Sequence, residues 1–240
     1  MATFMLVHDA WHGAWCWREL AILLRLCGHE VVTPTLTGLG ERGHLLHLLG
    51  VRLGLDIHVQ DAANVLEFQD LREVILVGHG YAGMVIAGAS DLTGDRLARV
   101  VYLDAFVPED GQAMFDVLSS QRRERYEQQA RELGDGWLIP PLPVEALGLT
   151  DAAQARRVAA KLTAQPLRTF EDSLRLANQA ALARTYIRCT AGVLVPSFER
   201  FAVRAKEEGW GYRELDTGHD AMLTRPRELA AVLGGLAAGR

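Results

Sequence analysis

Hydrophobic positions along the chain fall into two alternating rhythms. Short apolar runs rich in Val, Ile, Leu and Tyr occupy residues 4–7, 30–33, 73–77, 100–103, 185–189 and 212–215, with the length and composition of buried strands. Apolar residues at helical spacing fill 15–27, 57–68, 81–90, 198–208 and 225–236. Parallel strands need a crossover between them, and helical crossovers cover both faces of a sheet. The alternation therefore predicts an α/β chain with a mostly parallel central sheet flanked by helices.

One stretch breaks the rhythm. Residues 107–184 show no strand-like run but carry amphipathic helical stretches at 119–133 and 151–162, with Pro140, Pro141 and Pro143 between them. The pattern predicts a helical cap over 107–184, inserted into a core of 1–106 and 185–240. It follows a mid-sheet strand, where an insertion would cover an active site. The charged run 121–125 reads as the solvated face of a cap helix.

Composition changes this picture only at its edges. The 240 residues suit one large domain, 49% hydrophobic and 23% charged. A formal net charge of −5 gives no extended basic surface, so a small-molecule substrate is expected and nucleic acid and membrane are not. A homodimer stays open. The first residues enter an apolar strand with no charged leader, and no apolar run has membrane-spanning length, so a cytoplasmic location is expected. Cys16, Cys27 and Cys189 are odd in number and lack metal-type spacing, which predicts reduced core thiols.

The candidate chemistry centres on Gly78-His79-Gly80-Tyr81-Ala82-Gly83, where an apolar strand runs directly into a helix through small residues. This is the frame of the G-x-S-x-G elbow, which presents a nucleophile at the top of a sheet. Here the nucleophile position is Gly80, which has no side chain to attack with. Upstream, His8-Asp9-Ala10-Trp11-His12-Gly13 follows the first strand, where backbone N–H groups can form an oxyanion hole. Downstream, Gly218-His219 follows the last strand, where a catalytic histidine would sit.

These segments, with Thr37-Gly38-Leu39-Gly40-Glu41-Arg42, resemble the plant methylesterase and hydroxynitrile lyase branch of the α/β-hydrolases and its bacterial relatives over nearly the whole chain. The resemblance implies the α/β-hydrolase fold with its helical cap. It also marks two departures. That branch reads Gly-His-Ser-Tyr-Gly-Gly where this chain has Gly-His-Gly-Tyr-Ala-Gly, and His-Gly where this chain has His8-Asp9. The usual acid position after strand 185–189 holds no carboxylate, so Asp104, at the end of strand 100–103, is the expected acid. It would hold Nδ1 of His219 and leave Nε2 aimed at the pocket.

Ala10 and Tyr81 are the expected oxyanion-hole residues, through their backbone N–H groups. Asp9, Trp11, Trp15, His79, Phe106 and Trp137 are expected at the substrate, with Trp17 and Met114 near it. For each aromatic, core packing is an equal alternative. His8 and His12 are expected to order the oxyanion loop, and His44, His47 and His58 lack metal-type partners, so no metal is expected. No cofactor is expected either, because the glycines are spaced for an elbow and not for a dinucleotide.

A His–Asp dyad without a nucleophile performs proton transfer. The expectation is therefore an enzyme using general acid–base catalysis on an apolar, polyketide-like carbonyl compound, as a lyase, a cyclase or a carbon–carbon cleaving enzyme. One alternative is an ester or lactone hydrolase that uses a His-activated water or carries an engineered serine-to-glycine change. Another is a noncatalytic binder. Cofactor-independent oxygenation ranks below these.

Overall fold

The computed structural model describes residues 1–178 and 182–239. Six strands form the main sheet in the order β2 (Glu30–Val32), β1 (Thr3–Val7), β3 (Val74–His79), β4 (Leu97–Leu103), β7 (Ala183–Cys189) and β8 (Gly211–Leu215). Every pairing in it is parallel. The chain goes from β1 outward to β2 and returns to the other side of β1 for β3. The order thus reverses beside β1, and such a switch point opens a crevice at the strands' carboxyl ends.

Alternate residues of each central strand enter opposite layers. Phe4 and Leu6, Ile75 and Val77, and Val101 and Leu103 pack on one face with Leu20 and Leu24 of the helix Arg18–Leu26 and Leu229 and Leu233 of Pro226–Ala237. Met5 and Val7, Val74 and Leu76, and Val100 and Tyr102 pack on the other, against the helices Leu55–Phe68, Ala82–Thr93 and Val195–Glu207. Both faces are dry, which is why the strands read as unbroken apolar runs and not as an alternation. Helix Arg18–Leu26 is preceded by a separate 3₁₀ turn, Ala14–Trp17, that the apolar spacing merges with it.

Between β4 and β7 the chain leaves the sheet and forms the helices Ser120–Leu133, Ala152–Ala159 and Arg168–Glu171. The first two begin at Ser119 and Asp151, whose side chains accept from the N–H groups of Arg122 and Gln154. This segment also holds two strands that the sequence reading did not expect: β5 (Leu138–Ile139) pairs antiparallel with β6 (Gln165–Pro166). Two residues each are too few to leave a periodicity. Cys27 is likewise a correction, since it is exposed while Cys16 and Cys189 are buried, all three being free thiols. Among the described residues no helix is long and apolar enough to cross a membrane.

Candidate active site

Strand register brings the site together. Val7 of β1 pairs with Gly78 of β3, so two residues beyond each strand pair Asp9 and Gly80 come face to face. His79 pairs with Leu103, which sets Asp104 at the same level. Cys189 pairs with Leu215, and the chain leaving β8 carries His219 back over the strand ends.

Gly80 makes the turn from β3 into the helix Ala82–Thr93 at φ +54°, a conformation that favours glycine. Its N–H donates to the Leu103 carbonyl (3.3 Å), and its own carbonyl accepts from the N–H groups of Gly83 and Phe106 (both 3.1 Å). There is no room for a side chain: a Cβ on Gly80 would stand 2.1 Å from Oδ1 of Asp9 and 2.2 Å from its Cγ. The Asp9 carboxylate occupies the volume above the elbow.

That carboxylate is held on both oxygens. Oδ1 accepts from the backbone N–H of Tyr81, and Oδ2 lies 3.0 Å from Nε2 of His219. Across the ring, Nδ1 of His219 is 2.7 Å from Oδ2 of Asp104, whose Oδ1 accepts from the Cys189 N–H at 3.2 Å. Asp9, His219 and Asp104 form one buried row. Two expectations change accordingly. His219 does not aim Nε2 at an open pocket, and the Tyr81 N–H is engaged by Asp9 instead of being presented to a substrate. Asp9 does more than line the site: it joins the two.

The charges in the row follow from its hydrogen bonds. Burial opposes a charge on His219, but the bonds to Asp104 and Asp9 outweigh it and raise the imidazole to about 10. Burial also works to raise Asp9, yet the His219 bond and the surrounding histidines hold it well below the ordinary carboxylate range. Burial does lift Asp104, against the pull of His219 and the Cys189 N–H. These shifts favour an imidazolium beside an ionised Asp9 at neutral pH.

The loop that delivers Asp9 is fixed by two further histidines. His8 is buried and lowered to about 3, chiefly by that burial, so it is neutral. Its Nδ1–H donates to the Asp9 carbonyl (2.8 Å), while Nε2 accepts from the Leu36 N–H (3.0 Å). His12 donates from Nδ1 to the Ala10 carbonyl (2.8 Å) and meets Asp220 through Nε2 (3.2 Å); that carboxylate raises it against the pull of burial. Trp11 takes φ +64°, donates from Nε1 to the Ile139 carbonyl (3.0 Å), and takes Gln165 Oε1 on its N–H (3.2 Å). Residues 139 and 165 belong to the segment between β4 and β7, which is thereby tied to the loop that carries Asp9.

The other expected residues scatter. Ala10 is buried within that same loop. His79 donates from Nε2 to the His219 carbonyl (3.0 Å), and its ring sits 4.2 Å from that of His219. Trp15 stacks on His12, and Trp17 packs beneath His79. Trp137 lines a separate groove with Leu53 and Leu167, so it is not at the row. Phe106 packs on Phe198 at 4.8 Å and also lines an outer groove with Leu118, Arg122 and Ser197. Met114 is buried in the core layer facing the helix Ala82–Thr93. Tyr81 has its hydroxyl bonded to His58 Nδ1 (3.0 Å), and His58 Nε2–H donates to the Thr37 carbonyl (2.8 Å).

Two participants escaped the sequence reading. Phe198 stacks on His219, centroids 4.9 Å apart and planes 9° from parallel, and nothing in the motifs marks it. Asp220 bonds His12, though it directly follows His219 and could have been read as a second acid. Asp9, His79 and His219 present metal-ligand atoms within 4.8 Å of one another. The His79 and His219 rings nevertheless lie partly over each other, with planes 35° apart, so their in-plane lone pairs do not converge on one ion. Asp9 and His219 are joined by a hydrogen bond, whereas Nδ1 of His79 is buried without a partner.

Comparison with known proteins gives the family of this fold. A model described as the Alpha/beta hydrolase family matches residues 4–232. A carbendazim hydrolyzing esterase of Nocardioides sp. (strain SG-4G) is 37% identical over 246 residues, covering 98% of this chain and 100% of that protein. Methylesterase 10 of Arabidopsis thaliana is 26% identical, covering 98% and 91%. Among solved structures, an extracellular alpha/beta-hydrolase from a Paenibacillus species, described as sharing structural and functional homology with tobacco salicylic acid binding protein 2, superposes with TM-score 0.84 at 25% identity. It covers 97% of this chain and 98% of that one. A parallel sheet with its acid and histidine on strand ends, and a family match spanning nearly all of it, lead to one conclusion: this chain belongs to the alpha/beta hydrolase family.

Proposed function

We propose that the protein hydrolyses an ester-type bond in an apolar substrate without a serine nucleophile, using Asp9, His219 and Asp104 as its chemical centre under a cap formed by residues 107–184. Hydrolysis replaces the lyase or cyclase chemistry expected from the dyad alone, because the 37% identical relative that aligns end to end is an esterase. The observation that carries the reading is the Asp9 carboxylate seated over Gly80 between the Tyr81 N–H and His219 Nε2. In the branch that the chain resembles, a serine on the elbow stands opposite a glycine on the oxyanion loop. Here the reactive oxygen comes from the loop, and the glycine lies on the elbow.

Such a site splits the work among its residues. Asp9 supplies a negative oxygen beside the imidazolium, Asp104 keeps the ring oriented through Nδ1, and Phe198 stacks on the imidazole with Phe106 packed behind it. The test is hydrolysis of a panel of aryl and alkyl esters by the wild type and by Asp9→Asn and His219→Gln. Turnover that both substitutions abolish supports the reading. Turnover indifferent to both, or none on any ester, overturns it.

A further inference from the structure

The outer groove that Phe106 lines is positive in a negative chain. It lies where the helices Ser120–Leu133 and Val195–Glu207 begin, encloses about 370 Å³, and is walled by Phe106, Val117, Leu118 and Val193. Its polar side chains are Ser119, Ser197, Arg122 and Arg200. No carboxylate is among the described residues that line it, although the chain carries a formal net charge of −5. The volume is that of a small-molecule site. Neither helix has an acidic residue in its first turn, so their positive ends reinforce the field of the two guanidiniums.

The acids close to these arginines are engaged elsewhere. Glu199, next to Arg200 in the chain, pairs with Arg188; Glu109, in the adjoining groove, pairs with Arg204; and Asp116 accepts from the Ala113 N–H. Arg200 is held in place, since Nη2 donates to the Val117 carbonyl and the guanidinium carbon sits 4.7 Å from the centroid of the Phe201 ring. A guanidinium has five N–H donors, so that bond leaves others for a ligand. Arg122 has no carboxylate partner among the described residues. Beside these cations, Val193 is 72% exposed, an apolar surface that a ligand body would take out of water.

We propose that this groove binds an aryl carboxylate, with the acid group on Arg122 and Arg200 and the ring on Phe106, Leu118 and Val193. A neutral aromatic compound would leave the guanidiniums unused, and inorganic phosphate would leave the apolar walls unused. An aryl acid uses both, and a planar guanidinium takes a carboxylate through two parallel N–H···O bonds. The site is separate from the row of Asp9, His219 and Asp104, none of which lines it. It does not depend on the ester hydrolysis proposed above, because binding is read without turnover.

The probe is 2-naphthoate, titrated into the wild type by ligand-observed NMR at low salt, with 2-naphthamide and inorganic phosphate as controls. Saturable binding of the acid is expected, well above that of either control and weakening as salt is added. Arg122→Gln should weaken it by about tenfold, the worth of one charge-assisted hydrogen bond. Val193→Asp, at an exposed position where the fold is not at risk, sets a like charge beside the ligand and should also weaken it. No saturable binding of the acid would overturn the proposal. So would affinity unchanged in both variants, which would place the acid elsewhere on the protein. Equal binding of the amide would reduce the groove to an apolar surface, and equal binding of phosphate would reduce it to a patch of charge; either result refutes an aryl acid site.

Discussion

Asp9 and Gly80 exchange roles across the crevice: the carboxylate of the first fills the space that any side chain on the second would need, with Oδ1 only 2.1 Å from where a Cβ would lie. Because Val7 and Gly78 are register partners, both positions lie two residues beyond that pair, and a side chain can reach the same point from either one. Only one of them can carry it.

Restoring a serine alone should therefore fail. Gly80→Ser pushes a Cβ into Asp9 at a residue with φ +54°, so overpacking and backbone strain together should cost about 1–3 kcal/mol or more in unfolding free energy. The double variant Asp9→Gly with Gly80→Ser removes the collision and frees the Tyr81 N–H. A fluorophosphonate probe for activated serines is expected to label the double variant and to leave wild type and Gly80→Ser unlabelled. Labelling of Gly80→Ser to the same extent would show that Asp9 does not obstruct the elbow.

Much of this was legible in the sequence, and what was missed has a physical cause. Unbroken apolar runs and helical spacing gave the parallel sheet, and the chain order of 80, 104 and 219 gave the strand ends on which Gly80, Asp104 and His219 are found. Asp9 was visible as a departure from the His-Gly pair of the resembling branch, but the position of its carboxylate depends on strand register and on the bonds made by His8, which no local pattern encodes. Phe198 sits on a helix whose spacing says only that it faces inward. Trp137 was expected at the substrate on location alone, and the β5–β6 pair that follows it is too short to have signalled where that loop would turn.

Asp9→Asn tests the charge while keeping the shape. An amide whose oxygen stays on the Tyr81 N–H presents its NH2 group to Nε2 of His219, which can accept only when the ring is neutral. The variant is expected to lower the imidazole from about 10 towards its ordinary range, followed by the NMR titration of its ring protons. Ester turnover should fall by roughly a thousandfold or more, as expected when one member of a catalytic unit is removed. An unchanged titration would mean that Asp104 alone sets the charge of the ring.

Stability should depend on alkaline pH through the same group. The folded-state value of His219 is raised from 6.5 to about 10 by Asp104 and Asp9, against burial, with neutral His79 tilted against its ring. A raised base contributes its full stabilisation below the unfolded value and loses it as pH climbs through the folded one. The melting temperature of the wild type is thus expected to fall between about pH 6.5 and 10, and that of His219→Gln to be flatter across the same window. Parallel profiles for the two proteins would place the dependence elsewhere.

The small residues after the elbow differ sharply in what they tolerate. Position 82 carries an alanine that is fully buried without strain, whereas a Cβ on Gly83 would fall 1.8 Å from the carbonyl oxygen of Phe106. That carbonyl belongs to the turn after Asp104, and the Phe106 N–H bonds the carbonyl of Gly80, so a shift there moves the acid and the elbow together. Ala82→Gly should cost only about 0.5–1 kcal/mol, the ordinary penalty of glycine in a helix. Gly83→Ala should cost more than Ala82→Gly in urea unfolding and should lower turnover even in the fraction that remains folded. Equal, small effects at both positions would mean that the Phe106 turn yields freely, and then Asp104 would not be held in place by the elbow helix.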